Sequence, residues 1–249
     1  MSKHTTRTTT IRLGAAALAS AAALGAIGAT AGAATPAASA TPATLSGVQA
    51  KAAAAITLRV NHLNAAIAKV NGAKSLGSTA PTLAAYLQRD IVPLQQLGTT
   101  IAGDTSVAQA EKDAATIFTN FRVLALVLPA AHQAGLSDAI VTTALPKLAA
   151  DSAKASAHVN ASNQATLQPL ITDLNAQISA AGNAVSGLAA TDLAYLPAQW
   201  NANHDLLASS KSALAGAGGD LKKAKADLVQ IVKDLKGTQP ASTTPTTAS

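Results

Sequence analysis

The chain has 249 residues, no cysteine, about a quarter alanine and a formal charge of +6. Without cysteine, disulfide stapling, thiolate catalysis and a cysteine-borne lipid anchor are all excluded. Three of the basic residues, Lys3, Arg7 and Arg12, lie at the very start, so the rest of the chain carries only +3 and lacks the dense basic face that nucleic acid requires.

Residues 1–33 read as a secretory signal peptide. A basic head is followed by an uncharged apolar run, Leu13–Ala31, and then by small residues at alternate positions. Alanine and glycine make the run weakly hydrophobic, which favours a cleaved signal over a retained anchor. Ala29-Thr30-Ala31, Ala31-Gly32-Ala33 and Ala38-Ser39-Ala40 place cleavage between Ala31 and Ala40. Residues 34–44, rich in Ala, Thr, Pro and Ser, form a flexible leader.

Residues 45–236 carry one physical pattern, apolar positions at alternating steps of three and four, which is the stripe of a helix with one buried face. The first segment has Leu45, Val48, Ala52, Ile56, Val60, Leu63, Ile67 and Val70. The second, behind Pro81 in a first-turn position, has Leu83, Leu87, Ile91, Leu94, Leu97 or Gly98, and Ile101. Asp104, or Ser106 with Gln109, caps the third, whose stripe is Val107, Ala110, Ala114, Ile117, Phe121, Leu124 and Leu128. Gly135 is expected to close that segment and Ser137 to cap the fourth, which holds Val141, Leu145 and Leu148 before fading to Ser152, Ala155 and Val159. The fifth has Leu167, Ile171, Leu174, Ile178, Ala181, Val185 and Leu188, weakened at its end by Asn183 and Gly187. Thr191 or Asp192 is expected to open the last region, with Pro197 in its first turns and Trp200, Leu207, Leu214, Leu221, Leu228, Ile231 and Leu235 on its stripe. Pro93, Pro129, Pro146 and Pro169 should kink or restart their helices. Gly216, Gly218 and Gly219 should mark a hinge or a close helix contact. Gly237 stops the last helix behind Lys233 and Lys236.

The expected fold is all-α: an antiparallel bundle of about six long amphipathic helices with heptad-like stripes. No alternating strand pattern bounded by turn pairs occurs. Residues 237–249, GTQPASTTPTTAS, read as a disordered, solvated tail, with glycosylation as the sharper alternative. The tail has no hydrophobic segment or sorting pattern, so no stable membrane anchor is expected after signal cleavage.

Catalytic signals are thin. None of His62, His132, His158 and His204 has a His, Asp or Glu three or four residues away, so no local metal pair exists. Glu111 is the only glutamate, too few for a di-iron carboxylate bundle. No nucleophile elbow or phosphate loop occurs. Asp220, Lys223 and Asp227 read as a solvated face. No cofactor, metal or catalytic residue is therefore expected. Val123–Ala131 is strongly apolar but too short to span a bilayer. The most individual stretch is AYLPAQWNANHDLL, which gathers Tyr195, Trp200, Asn201, Asn203 and His204. Trp200 at a stripe position reads first as core, and the group reads second as a small-ligand, glycan or partner patch.

The stretches IFTNFRVLALVLP (Ile117–Pro129) and WNANHDLLASSKSAL (Trp200–Leu214) resemble segments of secreted, Ala-rich, all-helical proteins of actinobacteria, a group without a characterised function. The resemblance runs through most of the chain after the signal. It implies export and a helical bundle and supplies no catalytic residues. Together these readings lead to an exported, non-enzymatic bundle acting through its surfaces at or near the cell envelope, on a protein or other envelope component. A membrane-active or pore-forming helical protein is the alternative, and a hydrolase with a site assembled between helices is the third.

Overall fold

The structure, a computed structural model, describes residues 43–237. The signal, the leader before its last two residues and the tail beyond Gly237 lie outside the described residues. Helix makes up 87% of what is described, and no strand occurs there, so all the packing is helix on helix. These helices form an all-α bundle.

Helix α1, Leu45–Gly72, starts where Thr44, in extended conformation, accepts a hydrogen bond from the Gly47 amide at 3.1 Å. It buries Ala52, Ile56, Leu63 and Val70, members of the expected stripe. A 3₁₀ turn, Lys74–Thr79, leads to α2, Ala80–Gln88, and α3, Ile91–Gly103. Pro81 and Pro93 each fall in the first turn of a helix, where a missing amide costs nothing. Gln49 Nε2 of α1 lies 3.1–3.2 Å from the carbonyls of Ile101, Ala102 and Asp104, and so caps the end of α3. Gly98 lets α3 approach α1: an added Cβ would lie 3.3 Å from Ile56 Cδ1.

The next stretch differs from expectation. Helices α4 (Val107–Thr116), α5 (Leu128–Ala139) and α6 (Leu145–Ser156) are joined by π-helical turns at Ile117–Phe121, Val123–Val127 and Ile140–Ala144. They follow one another as one helical rod over Val107–Ser156, interrupted at Arg122. Ser106 caps it, accepting from the Gln109 amide at 3.2 Å. The expected break at Gly135 and Ser137 does not occur. Both lie inside α5, and Ser137 is buried, its hydroxyl donating to the Val185 carbonyl at 2.9 Å rather than capping a helix. The prolines act one turn later than a simple break. Leu128-Pro129 and Leu145-Pro146 each directly follow a π turn. A proline inside a helix removes an amide and crowds the carbonyl four residues back, and the wider π turn accommodates both.

After the turn at 157–163 come α7 (Gln164–Val185), α8 (Leu188–Ala194), α9 (Pro197–Ala202) and α10 (Ala208–Gly237). Gly187, at φ 73°, makes the α7–α8 turn in a left-handed conformation. The expected last region is thus three helices. Asp192 does not open it but is buried inside α8, while Pro197 opens α9. Gly216, Gly218 and Gly219 lie in α10 with nothing within 4 Å of an added Cβ, so they are neither a tight contact nor a break. Asp227 also departs from the solvated-face reading: one carboxylate oxygen is buried without a partner, and burial followed by the nearby Asp173 raises its pKa.

Apolar side chains gather in two clusters. The first draws on α1 to α5 and includes Leu63, Leu83, Leu94, Ile117 and Leu126. The second is the seam of α6, α7 and α10, built on Leu148, Leu167, Leu174, Leu221, Leu228 and Ile231. Helix α8 stands where they meet, with Ala189 and Leu193 packing on the first and Leu188 on the second.

Candidate functional site

The rod breaks at Arg122, the one non-glycine residue with positive φ among the described residues (φ 47°). A side chain in the left-handed region costs about 1–3 kcal/mol, so the surroundings must hold it there. The Arg122 carbonyl accepts from both the Leu126 and Val127 amides, at 2.8 and 3.2 Å. Asn201, on α9, bridges the break: its Oδ1 accepts from Arg122 Nε at 2.6 Å, and its Nδ2 donates to the Thr119 carbonyl at 3.0 Å. One amide thus ties both sides of the break to a helix about eighty residues later. Helix α9 is itself fixed at its start, where the Leu196 amide donates to Gln199 Oε1 at 2.8 Å.

On the same π turn as Thr119, an exposed aromatic ring lies against a buried arginine. Phe118 is 48% exposed, and the Arg59 guanidinium of α1 lies 4.4 Å from its ring centre. Arg59 is buried, and its one hydrogen bond runs to the Ala55 carbonyl at 2.9 Å. Burial pushes its pKa down from the usual value. The ion pairs among the described residues are Arg89–Asp90, Lys154–Asp151 and Lys223–Asp220, so neither Arg59 nor Arg122 has a carboxylate partner there. Leu58 and Leu196 are 49% and 54% exposed, and Leu124 is exposed as well.

The five residues expected to form one patch divide. Trp200 and His204 stay together, with ring centres 5.7 Å apart. Trp200 is half-buried, one face on the first apolar cluster, while His204 is exposed. Tyr195 is half-buried on the same cluster. Asn201 serves the clamp. Asn203 accepts from the Asp205 amide at 2.9 Å and shapes the loop into α10. Sequence reasoning missed Arg59, Phe118, Arg122 and Leu196. The one available signal was the run Val123–Val127, where two apolar registers compete. The expected stripe took Leu124, but the chain buries Val123, Leu126 and Val127 and leaves Leu124 exposed.

A second polar group lies inside the fold. Asp192 of α8 and Ser210 of α10 are both buried, and the Ser210 hydroxyl donates to Asp192 Oδ1 at 2.6 Å. Asp192 Oδ2 and the buried Tyr86 hydroxyl have no hydrogen-bond partner. Burial raises the Asp192 pKa, and the Ser210 hydrogen bond opposes the rise. Burial likewise raises the pKa of Tyr86, whose ring carries the Arg89 guanidinium at 4.1 Å. Such a pair orients α8 against α10, but no base or oxyanion donor stands beside Ser210.

No three His, Asp or Glu side chains among the described residues converge as metal ligands. The groove lined by Gln164, Gln168, Pro169, Thr172 and Asp173 at the start of α7 is shallow and open. Comparison with protein-family models, with curated proteins and with solved structures finds no match.

Proposed function

We propose that this is an exported, non-enzymatic helical-bundle protein that acts at or near the cell envelope by presenting a binding surface. The observation that carries the reading is the surface at the rod break. There, exposed Phe118 lies against the Arg59 guanidinium and Arg122 is held by Asn201, and neither arginine has a carboxylate partner among the described residues. Aromatic and arginine side chains are the usual anchors of binding surfaces. The backbone is held there in a conformation that costs energy, and such cost concentrates where a surface has work to do. Export rests on the basic, apolar and small order of residues 1–33.

The test is fractionation of cells expressing the full chain, with N-terminal sequencing of the product. A mature chain starting between Ala31 and Ala40, found in the medium or on the envelope, is the expected result. A chain that starts at Met1 and stays in the cytosol overturns the reading. One observation favours a second reading, bilayer disruption. The rod Val107–Ser156 contains a stretch apolar enough to cross a membrane by length and composition, and only 33% of it is buried. Dye release from vesicles tests that reading, and no release over a wide lipid range ends it.

A further inference from the structure

We propose that the outer face of α10 is a docking row for a flexible linear polyanion, whose charges are met by Lys211, Lys222, Lys225, Lys233 and Lys236. The row is separate from the surface at the rod break. Helix α10 runs unbroken from Ala208 to Gly237, so residues three, four, seven or eleven apart share a face. The five lysines keep to those intervals, with Ala215, Gly218 and Val229 filling the steps between them. Every one of these positions is exposed, while Ala217, Leu221, Leu228 and Ile231 mark the buried side of the same helix.

No carboxylate answers this row. None of the five lysines has an Asp or Glu three or four residues away, and none takes part in an ion pair among the described residues. Asp220, Asp227 and Asp234 recur every seven residues and so follow a different line of the helix. Asp220 pairs with Lys223, which is outside the row. Burial and then Asp173 of α7 raise the Asp227 pKa, so that carboxylate of α7 also lies by the acidic line. Lys233 and Lys236 face the negative end of the helix dipole, but Lys211, Lys222 and Lys225 are too far from it to gain. Lys222 with Lys225, and Lys233 with Lys236, are like charges three residues apart, which cost a helix stability. An anion laid along the row relieves that repulsion.

The layout selects the partner. Twenty-five residues of helix set the end lysines about 37 Å apart, in a line rather than a cluster, which suits a chain-like anion. The gaps are uneven, 11, 3, 8 and 3 residues, so the partner must bend to bring its charges to them. Helix α10 has no arginine and no aromatic residue, and so offers neither bidentate recognition nor a platform on which bases stack. Val229 is its one large apolar side chain that is fully exposed, too little to seat the helix in a bilayer. Ala215 and Gly218 are small and let a polymer lie close.

The purified full chain is titrated by calorimetry with long-chain polyphosphate and, separately, with polygalacturonate, over a series of salt concentrations. Binding of either supports the proposal, and the tighter one identifies the anionic group. Ammonium groups act here as point charges, so binding should weaken steeply with salt. A flexible polyanion gives a slope of log K against log salt of roughly 0.7 per contacted charge, hence about 3.5 for the five lysines. The triple variant Lys222→Gln, Lys225→Gln, Lys233→Gln should lower that slope to about 1.4 and weaken binding at low salt at least tenfold.

A second triple variant, Lys51→Gln, Lys69→Gln, Lys112→Gln, removes the same charge from exposed positions on α1 and α4 and should change binding less than twofold. Thermal melts followed by circular dichroism check that both variants are folded. Failure to bind either polymer at low salt overturns the proposal, as does binding indifferent to salt. Equal losses in the two triple variants also overturn it, because the attraction would then belong to the whole chain's charge. Tighter binding to duplex DNA than to both polymers overturns it in favour of a rigid polyanion. These titrations are made in solution, so their outcome is independent of where the cell delivers the chain.

Discussion

Replacing Ser210 by alanine removes the one hydrogen bond made to the buried Asp192 carboxylate, a 2.6 Å contact. A hydrogen bond to a charged group contributes about 1.5–3 kcal/mol, and an acceptor left unpaired in the interior costs a further 1–3 kcal/mol, roughly. Asp192 Oδ2 is already without a partner, so Ser210→Ala leaves the whole carboxylate unsatisfied. The expected loss at pH 7.5 is about 3 kcal/mol. Asp192→Asn behaves differently. Its amide oxygen still accepts from Ser210 and no charge is buried, so stability at pH 7.5 should stay level or rise.

The pH dependence has a definite sign. Burial raises the Asp192 pKa in the folded state above its value in the unfolded chain, near 4. The folded protein therefore holds this proton more tightly. The stabilisation is fully present below the unfolded pKa and is lost as pH rises through the folded one. Relative to Asp192→Asn, the wild type should gain stability on going from pH 7.5 to 4.5. Urea unfolding at both pH values, with Trp200 fluorescence and circular dichroism as probes, measures all three proteins. A Ser210→Ala loss under about 0.5 kcal/mol at pH 7.5, against the hydrogen-bond value above, would show that the Asp192–Ser210 contact does not hold α8 to α10.

Gly216→Ala, Gly218→Ala and Gly219→Ala should each stabilise the protein by about 0.5–1 kcal/mol, because the helix gains propensity and the new methyl meets open space. Gly98→Ala should gain less or destabilise, since its methyl meets Ile56 Cδ1 at 3.3 Å; thermal melts of the four variants check the contrast. Asn201→Ala should cost about 1–2 kcal/mol and speed hydrogen exchange selectively over residues 117–127, whose break it clamps. Unchanged exchange in that segment would mean that the π turns hold themselves.

The fold was largely legible because α1, α7 and α10 are regular. Their stripes run without interruption, and the seven-residue spacing of Leu214, Leu221 and Leu228 places the last two in the second cluster. Caps and prolines at the helix starts, Ser106 and Pro81 among them, also behaved as local chemistry dictates. The rod was harder to read. Gly135 and Ser137 look like a stop and a start, yet tertiary packing overrides them, because Ser137 finds a distant acceptor in Val185. Asp192 resembled a helix opener for the same reason: its partner lies 18 residues on, on another helix. At the candidate surface, the AYLPAQWNANHDLL stretch was found but its division was not. The Asn201–Arg122 bond spans 79 residues, and no periodicity carries that information.

The π turn at Ile140–Ala144 has a consequence for how the rod serves both clusters. A ring closed five residues back instead of four admits one residue more, and a residue is worth roughly 100° of rotation. Side chains after Ala144 are thereby turned about a quarter-circle from the direction an unbroken α-helix would give them. The turn works as a phase shifter: α5 faces the first cluster, and α6 is re-aimed at α7 and α10. Indels are therefore unequal along this rod. Losing one residue inside the π turn would convert it to α-helix and aim Leu148 and Ala155 away from their seam, while substitutions at exposed Val141, Thr142 or Thr143 would leave the aim intact.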